Sequence, residues 1–328
     1  MNVLLVTPAG AEERTPEELD ALLTKTRDGG GLLWVDVPAW DDEAAALLVE
    51  RFGIHPRAAT DCERRNPVPK VHLYSDHLFV VLHAPDRGER GHVHYVELDQ
   101  FVGPGWIITV HGPLNPKVPA ASAIVETAAV ARRLTTGRMH PNTAHELSYA
   151  LVSALTGRLR DYLSALTEEV WALERQVTAG HLGQIEDFLE QLFQVRHGLL
   201  TVRTMAALSR EVYGRMGHLA AIGDGAPLVL DLEDQFRRIG QMADAQREYL
   251  QGVIEFYQTR TNTKMTIAAE RLAVIAAVTL PVTAISSVMG MNVIVNDQTV
   301  VGPLLGVLAV MLIMSGTLLV WTHRKGWW

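Results

Sequence analysis

Cysteine is almost absent: Cys62 is the one thiol in 328 residues. That excludes an internal disulfide framework and any all-cysteine metal site, suits a reducing compartment, and leaves Cys62 to be read as an inert thiol. Basic runs are missing as well; acidic residues outnumber basic ones 37 to 29, for a net charge of -8. A nucleic-acid partner is therefore not expected. There is no Walker-type glycine-rich loop, no nucleophile elbow, and no HExxH pair, since His145-Glu146 lacks its second histidine. Neither a nucleotide partner nor enzyme chemistry is expected. Residues 1–10 hold a short apolar run without a positive flank, so no secretory signal is expected and this end should stay in the cytosol.

The most informative shortage is charge near the C-terminus. Between Arg271 and Arg324 the only Asp, Glu, Lys or Arg is Asp297. A hydrocarbon core about 30 Å thick takes about 20 apolar residues of helix, which fits spans at 272–291 and 300–321. The loop left between them, 292–299, is short enough to force an antiparallel hairpin with both ends on one side of the bilayer. Lys264 and Arg271 precede the first span, Arg324 and Lys325 follow the second, and the loop carries no basic residue. Both termini are therefore expected in the cytosol, with Trp321, Trp327 and Trp328 at the interface and 322–328 a basic tail.

The hydrophobic share, 48%, is thus concentrated at one end, and the remainder reads as a soluble domain. Residues 1–141 read as α/β, with β-rich runs at 3–6, 32–37, 71–74, 78–83, 93–102 and 106–110. Ser75-Asp76 and Gly103-Pro104-Gly105 are hairpin turns, and 16–26 and 41–52 are helices. Residues 142–227 read as long antiparallel helices: one starts at a capping box of Thr143 and Glu146 and stops at Gly180, and the next covers 184–216. Then Leu232, Phe236, Ile239, Ala243, Gln246, Leu250, Val253 and Tyr257 recur four and three residues apart, the seam of a helix packed on others. No proline interrupts the chain from Leu228 to Pro281. A stalk helix over 228–271 that continues through the first span would be roughly 95 Å long at 1.5 Å per residue. Periodicity alone also suits a plain dimeric coiled coil.

Along the first span Leu272, Ala276, Leu280, Thr283, Ser287 and Gly290 share one small, partly polar face. Several copies around an axis would line a path with it, narrowest at Leu280; the same residues also suit tight packing between membrane helices. The span ends on Gly290-Met291-Asn292. That tripeptide at the membrane exit, a proline within the span, a long helix before it and a Lys/Arg tail after the second span together resemble the CorA family of magnesium channels. Trp34-Val35-Asp36 before a helix, Ile54-His55-Pro56 followed by Asp61, and Pro67-Val68-Pro69-Lys70-Val71 before an apolar strand are similar to that family's N-terminal domain.

What the resemblance implies is a funnel-shaped homopentamer in the bacterial plasma (inner) membrane. Each subunit would give a cytosolic α+β domain with a mixed β-sheet, a stalk helix and two transmembrane helices. The first span would line the pore, and Gly290, Met291 and Asn292 would form the selectivity filter. Mg²⁺ holds its water tightly and demands octahedral oxygen geometry, so a neutral ring of oxygens there suits the hydrated ion, with Co²⁺ and Ni²⁺ as further passengers. Where the family usually has an aromatic residue and a Met-Pro-Glu run, this chain has Val293-Ile294-Val295-Asn296-Asp297, which makes Asp297 the loop's carboxylate. The resemblance also implies gating by intracellular Mg²⁺ held between subunits. Asp231 and Asp234 lie in the matching stretch and Asp86 is a candidate opposing ligand; as residues, the first two also read as acids favoured near a helix N-terminus.

Three further readings stay open. The zinc-transporting branch of the same superfamily typically has isoleucine at the position of Met291. A membrane-anchored sensor or scaffold would need no conduit. Thirteen histidines, with His92 and His94 read in one strand, admit a transition-metal site or a decorated surface.

Overall fold

In the computed structural model the described residues are 1–113, 115–180, 184–290 and 301–326. They form two compact units, Met1–Gln251 and Gly252–Trp328.

The first unit is built on a seven-stranded sheet. Its strands are β1 (Asn2–Thr7), β2 (Gly10–Arg14), β3 (Leu32–Val37), β4 (Lys70–Leu73), β5 (Leu78–Arg87), β6 (Val93–Gly103) and β7 (Trp106–Val110), in the spatial order β2-β1-β3-β7-β6-β5-β4. β3 and β7 pair in parallel and every other pair is antiparallel, so the sheet is mixed as expected. One face is covered by α1 (Leu19–Arg27), α2 (Asp42–Phe52) and α3 (Pro56–Glu63), whose Leu23, Leu48 and Cys62 pack with Val35, Phe101 and Ile108. The other face meets α5 (Val125–Thr135), which follows the short α4 (Ala120–Ala123), and α6 (Ala144–Ala179). On that side Ser148 of α6 donates to Gln100 of β6 at 2.7 Å. A sheet covered on both faces needs apolar residues throughout, so β3, Leu-Leu-Trp-Val-Asp-Val, is buried at every position rather than at alternate ones.

The helices start and stop where their capping residues dictate. Asp41 accepts from the Ala44 amide at 2.7 Å to open α2, and Gly53, at φ 66°, closes it. Thr143 accepts from the Glu146 amide at 3.1 Å, while the Glu146 carboxylate reaches the Asn142 amide at 2.7 Å, one residue earlier than a standard capping box. Gly180, at φ 76°, closes α6. α7 (Ile185–Met216) returns along α6, and Gly198 marks a close approach: a Cβ there would lie 2.8 Å from Leu166 Cδ2. α8 (Ala226–Gly290) begins in this unit, where Leu232, Phe236, Ile239, Ala243 and Leu250 of the expected seam are buried and Phe236 stacks on Tyr213 at 5.6 Å.

The second unit contains the remainder of α8 and α9 (Val301–Arg324). Both are long and apolar enough to cross a membrane. Their large side chains face outward: Leu280 is 66% exposed and Leu312 74%. Water would oppose such a surface, so lipid or other copies of the chain must cover it. Among the described residues, the apolar part of each helix shields one narrow stripe. On α8 it is Val274, Ala277, Val278, Pro281, Val282 and Ile285; on α9 it is Val307, Met311, Met314, Ser315, Leu318 and Thr322. Both stripes have the three- and four-residue spacing of a helix contact.

Candidate functional site

The small-residue face of α8 lies opposite its shielded stripe. At 100° per residue, Leu272, Ala276, Leu280, Thr283, Ser287 and Gly290 centre about 180° from the stripe of Val274 and Pro281, and all six are exposed. The Thr283 hydroxyl donates to the Thr279 carbonyl at 2.8 Å, and Thr279 does the same to Ile275. That satisfies each hydroxyl proton in a dry environment and leaves the oxygen lone pairs free to accept from water. Pro281 cannot donate to the Ala277 carbonyl one turn back, so the locally weakened part of the ladder lies in the shielded stripe, opposite this face. Gly290 is the last residue of α8, and a Cβ there would meet nothing within 4 Å. Met291, Asn292 and Asp297 lie outside the described residues.

The three carboxylates proposed for regulation sit in the first unit, each with its own partners. Asp231 Oδ2 accepts from Tyr149 Oη at 2.8 Å and from Gln235 Nε2 at 2.7 Å. Asp234 is held by Arg237 and Arg238 of the same helix, and their hydrogen bonds keep its carboxyl below the usual range. Asp86 lies beyond the β-rich run expected at 78–83. It belongs to β5 nonetheless, because the β5–β6 ladder continues past the apolar run to pair Asp86 with His94 and Arg87 with Val93. Arg158 of α6 donates to Asp86 at 2.8 Å and lies 3.3 Å from Glu126, and it also bonds the carbonyls of Pro85 and Ser122. The pairing partners Tyr149, Gln235 and Arg158 escaped sequence reasoning. Only Gln235, four residues after Asp231, carried a legible signal. Among the described residues no three of His, Cys, Asp and Glu gather as a metal site within one chain.

His92, His94 and His111 occupy different settings. His94 is in β6, whereas His92 precedes the strand, so the two do not share it; their rings still meet edge to face at 4.7 Å. His94 is buried rather than decorating the surface, and burial chiefly lowers its pKa. His111 joins a buried chain of hydrogen bonds: Trp34 Nε1 donates to Thr109 Oγ1 (3.0 Å), Thr109 donates to Asp36 Oδ1 (2.6 Å), and His111 Nε2 lies 3.0 Å from the same oxygen. Asp36 of the Trp34-Val35-Asp36 motif thus ties β3 to β7. Cys62 is buried, and that burial pushes its thiol pKa well up, as an inert thiol requires.

Comparison with known proteins agrees with this layout. A family model described as CorA-like Mg²⁺ transporter protein matches residues 29–324. The cobalt/magnesium transport protein CorA of Thermotoga maritima is 22% identical over 275 residues, covering 81% of this chain and 74% of that one. The complete CorA magnesium transporter structure from Methanocaldococcus jannaschii superposes with a TM-score of 0.79 at 16% identity, covering 100% of this chain and 98% of that one. Full-length CmaX gives 0.74 at 19% identity, with the same coverage of 100% and 98%. With an α/β domain, a long helix and two membrane-capable helices in the same order, the chain belongs to the CorA family of divalent-cation transporters.

Proposed function

We propose that five copies of this chain surround a water-filled axis in the bacterial plasma membrane and conduct hydrated Mg²⁺ into the cytosol. Leu272, Ala276, Leu280, Thr283 and Ser287 line the path, Gly290, Met291 and Asn292 form its outer filter, and Asp297 draws cations to the mouth. The observation that carries this reading is the division of α8 into a shielded stripe and an exposed, small, hydroxyl-bearing face on the opposite side. One helix encloses nothing, so that face needs neighbours to become a conduit. A ring of neutral oxygens binds a hydrated ion weakly enough to release it. A divalent ion gains about 4.6 kcal/mol across 100 mV, twice the roughly 2.3 of a unit charge, so no ATP is needed.

Regulation follows from the same assembly. Asp231, Asp234 and Asp86 hold an intracellular Mg²⁺ between neighbouring subunits; the ion cancels their repulsion and keeps the ring closed, and its loss opens the gate at Leu280 and Leu272. Uptake by proteoliposomes, measured with and without an imposed inside-negative potential, tests the whole reading. Potential-driven Mg²⁺ entry, with Co²⁺ and Ni²⁺ following, is expected, and Asn292→Ala should abolish it without loss of assembly. Normal flux in that variant would remove the filter from Asn292. Proton-coupled Zn²⁺ flux indifferent to potential would place the chain in the zinc branch, and no flux at all would make it a sensor or scaffold.

A further inference from the structure

His145-Glu146, half of a zinc motif without its second histidine, takes two separate tasks in the fold. Glu146 turns back to the Asn142 amide. His145, the second residue of α6, lays its ring against the 3₁₀ turn Ala220–Gly225 that leads into α8. A Cβ on Gly225 would stand 2.7 Å from His145 Cγ and 3.0 Å from Cδ2, so the ring fills the place a side chain would take. Gly225 and Ile222 of that turn are buried, and the ring itself is half-buried. The acids around it are engaged or turned to solvent. Across a cavity of 480 Å³ that His145 lines with Tyr74, Asp76 and His77 of the β4–β5 turn, Asp76 lies 2.7 Å from His77 Nδ1. Asp224 of the 3₁₀ turn is exposed, and one turn along α6 Tyr149 occupies Asp231. Among the described residues no carboxylate lies in ion-pair reach of His145. An imidazolium there would be half desolvated, without a counter-ion, and at the positive end of α6. Burial accordingly lowers the His145 pKa.

We propose that His145 is a pH-sensitive clasp: neutral, it holds the turn Ala220–Gly225 and the first turn of α8 against the start of α6, and protonated, it releases them. The ring takes one proton from solvent at its free nitrogen, and the charged ring reaches water only by leaving Gly225. The sign is that of a histidine buried neutral. Its contribution is complete above the unfolded value, near 6.5, and is lost as pH falls through the lower folded value. Acidification therefore loosens the beginning of the helix that runs on to Gly290. The clasp needs no conduit and stands whether or not the chain conducts Mg²⁺.

Hydrogen–deuterium exchange of the full chain in detergent, read by mass spectrometry over residues 219–230 and corrected for the intrinsic rate at each pH, tests it. Between about pH 7.5 and about pH 5.5 the corrected rate should rise about three-fold or more, since each unit by which a pKa is lowered is worth up to about ten-fold in the opening constant. Amides of β3 should not respond, which separates the clasp from global unfolding. His145→Gln keeps a polar side chain of similar size that does not titrate, and should flatten the response. His218→Gln, at an exposed position of the same link, should keep it. Gly225→Ala should exchange fast at both pH values, because its methyl displaces the ring. A parent rate that ignores pH, or a His145→Gln response equal to the parent's, overturns the proposal. If thermal melting shows His145→Gln unfolded, Gly225→Ala decides: a flat profile supports the clasp and a parental pH response overturns it. Transport is not part of the readout, so failure here leaves the conduction reading where it was.

Discussion

At the scale of single residues, Asp99 is a costly group in the first unit. It is fully buried on β6, and neither carboxyl oxygen has a hydrogen-bond partner. Burial first, and the neighbouring Glu97 second, push its pKa well above the ordinary carboxylate value, while the nearby Cys62 thiol and, more weakly, Lys70 oppose. Glu97 is raised by burial too, against the pull of its bonds from Asn66. For an acid raised in the folded state, the stability contribution is complete below the unfolded pKa, near 3.9 for Asp, and is lost as pH rises toward the folded value. Asp99→Asn should therefore gain on the parent as pH climbs from 5 to 8, by up to about 1.4 kcal/mol per unit by which the carboxyl is raised. Urea midpoints at the two pH values check this, and a constant offset between them would refute it. Asp231 and Asp234 call for the opposite treatment, since both are partnered and half-buried on α8. Replacing both by Asn should leave transport open at millimolar internal Mg²⁺, and inhibition as in the parent would move the regulatory ion elsewhere.

At the scale of elements, the long helices and the buried strands were legible because their signals are periodic and redundant. The expected 184–216 helix is α7 with its N-cap, and 32–37 is β3 without change. β2, Gly-Ala-Glu-Glu-Arg, escaped because a polar edge strand has no alternation to read; its pairing with β1 alone defines it. α3 escaped behind a motif. His55 caps it by accepting from the Arg57 amide at 3.1 Å, and Pro56 sits at its first turn, a start signal present in the sequence. α5 was missed although Glu126 opens it and Arg132 and Arg133 close it, as the helix dipole favours. Between α7 and α8, Phe236 stacks on Tyr213, and both are buried. Phe236→Ala should cost about 3–5 kcal/mol, read as a lower thermal midpoint by circular dichroism; a shift within error would show that α8 is held by other contacts.

At the scale of the whole molecule, the two units obey different solvents. Met1–Gln251 buries its apolar residues within one chain, whereas Gly252–Trp328 leaves most of its own uncovered. A surface of that kind is stable only against lipid, or against other copies of itself. The mass of the detergent-purified protein, corrected for bound detergent, is expected to be five times 36.1 kDa. A monomeric mass in mild detergent would leave the exposed face of α8 to lipid and remove the conduit.

The chain's amino-acid order alone determined that two apolar segments close the chain, the first continuous with a long helix, and that Gly290-Met291-Asn292 lies between them in sequence, because hydropathy, proline placement and short motifs are local and need no partner to be read. Tertiary structure decided what depends on residues far apart in the chain. Arg158 occupies Asp86, and Tyr149 occupies Asp231. Side-chain pairing across 70 or 80 positions leaves no periodic trace, so only folding brings those charges together.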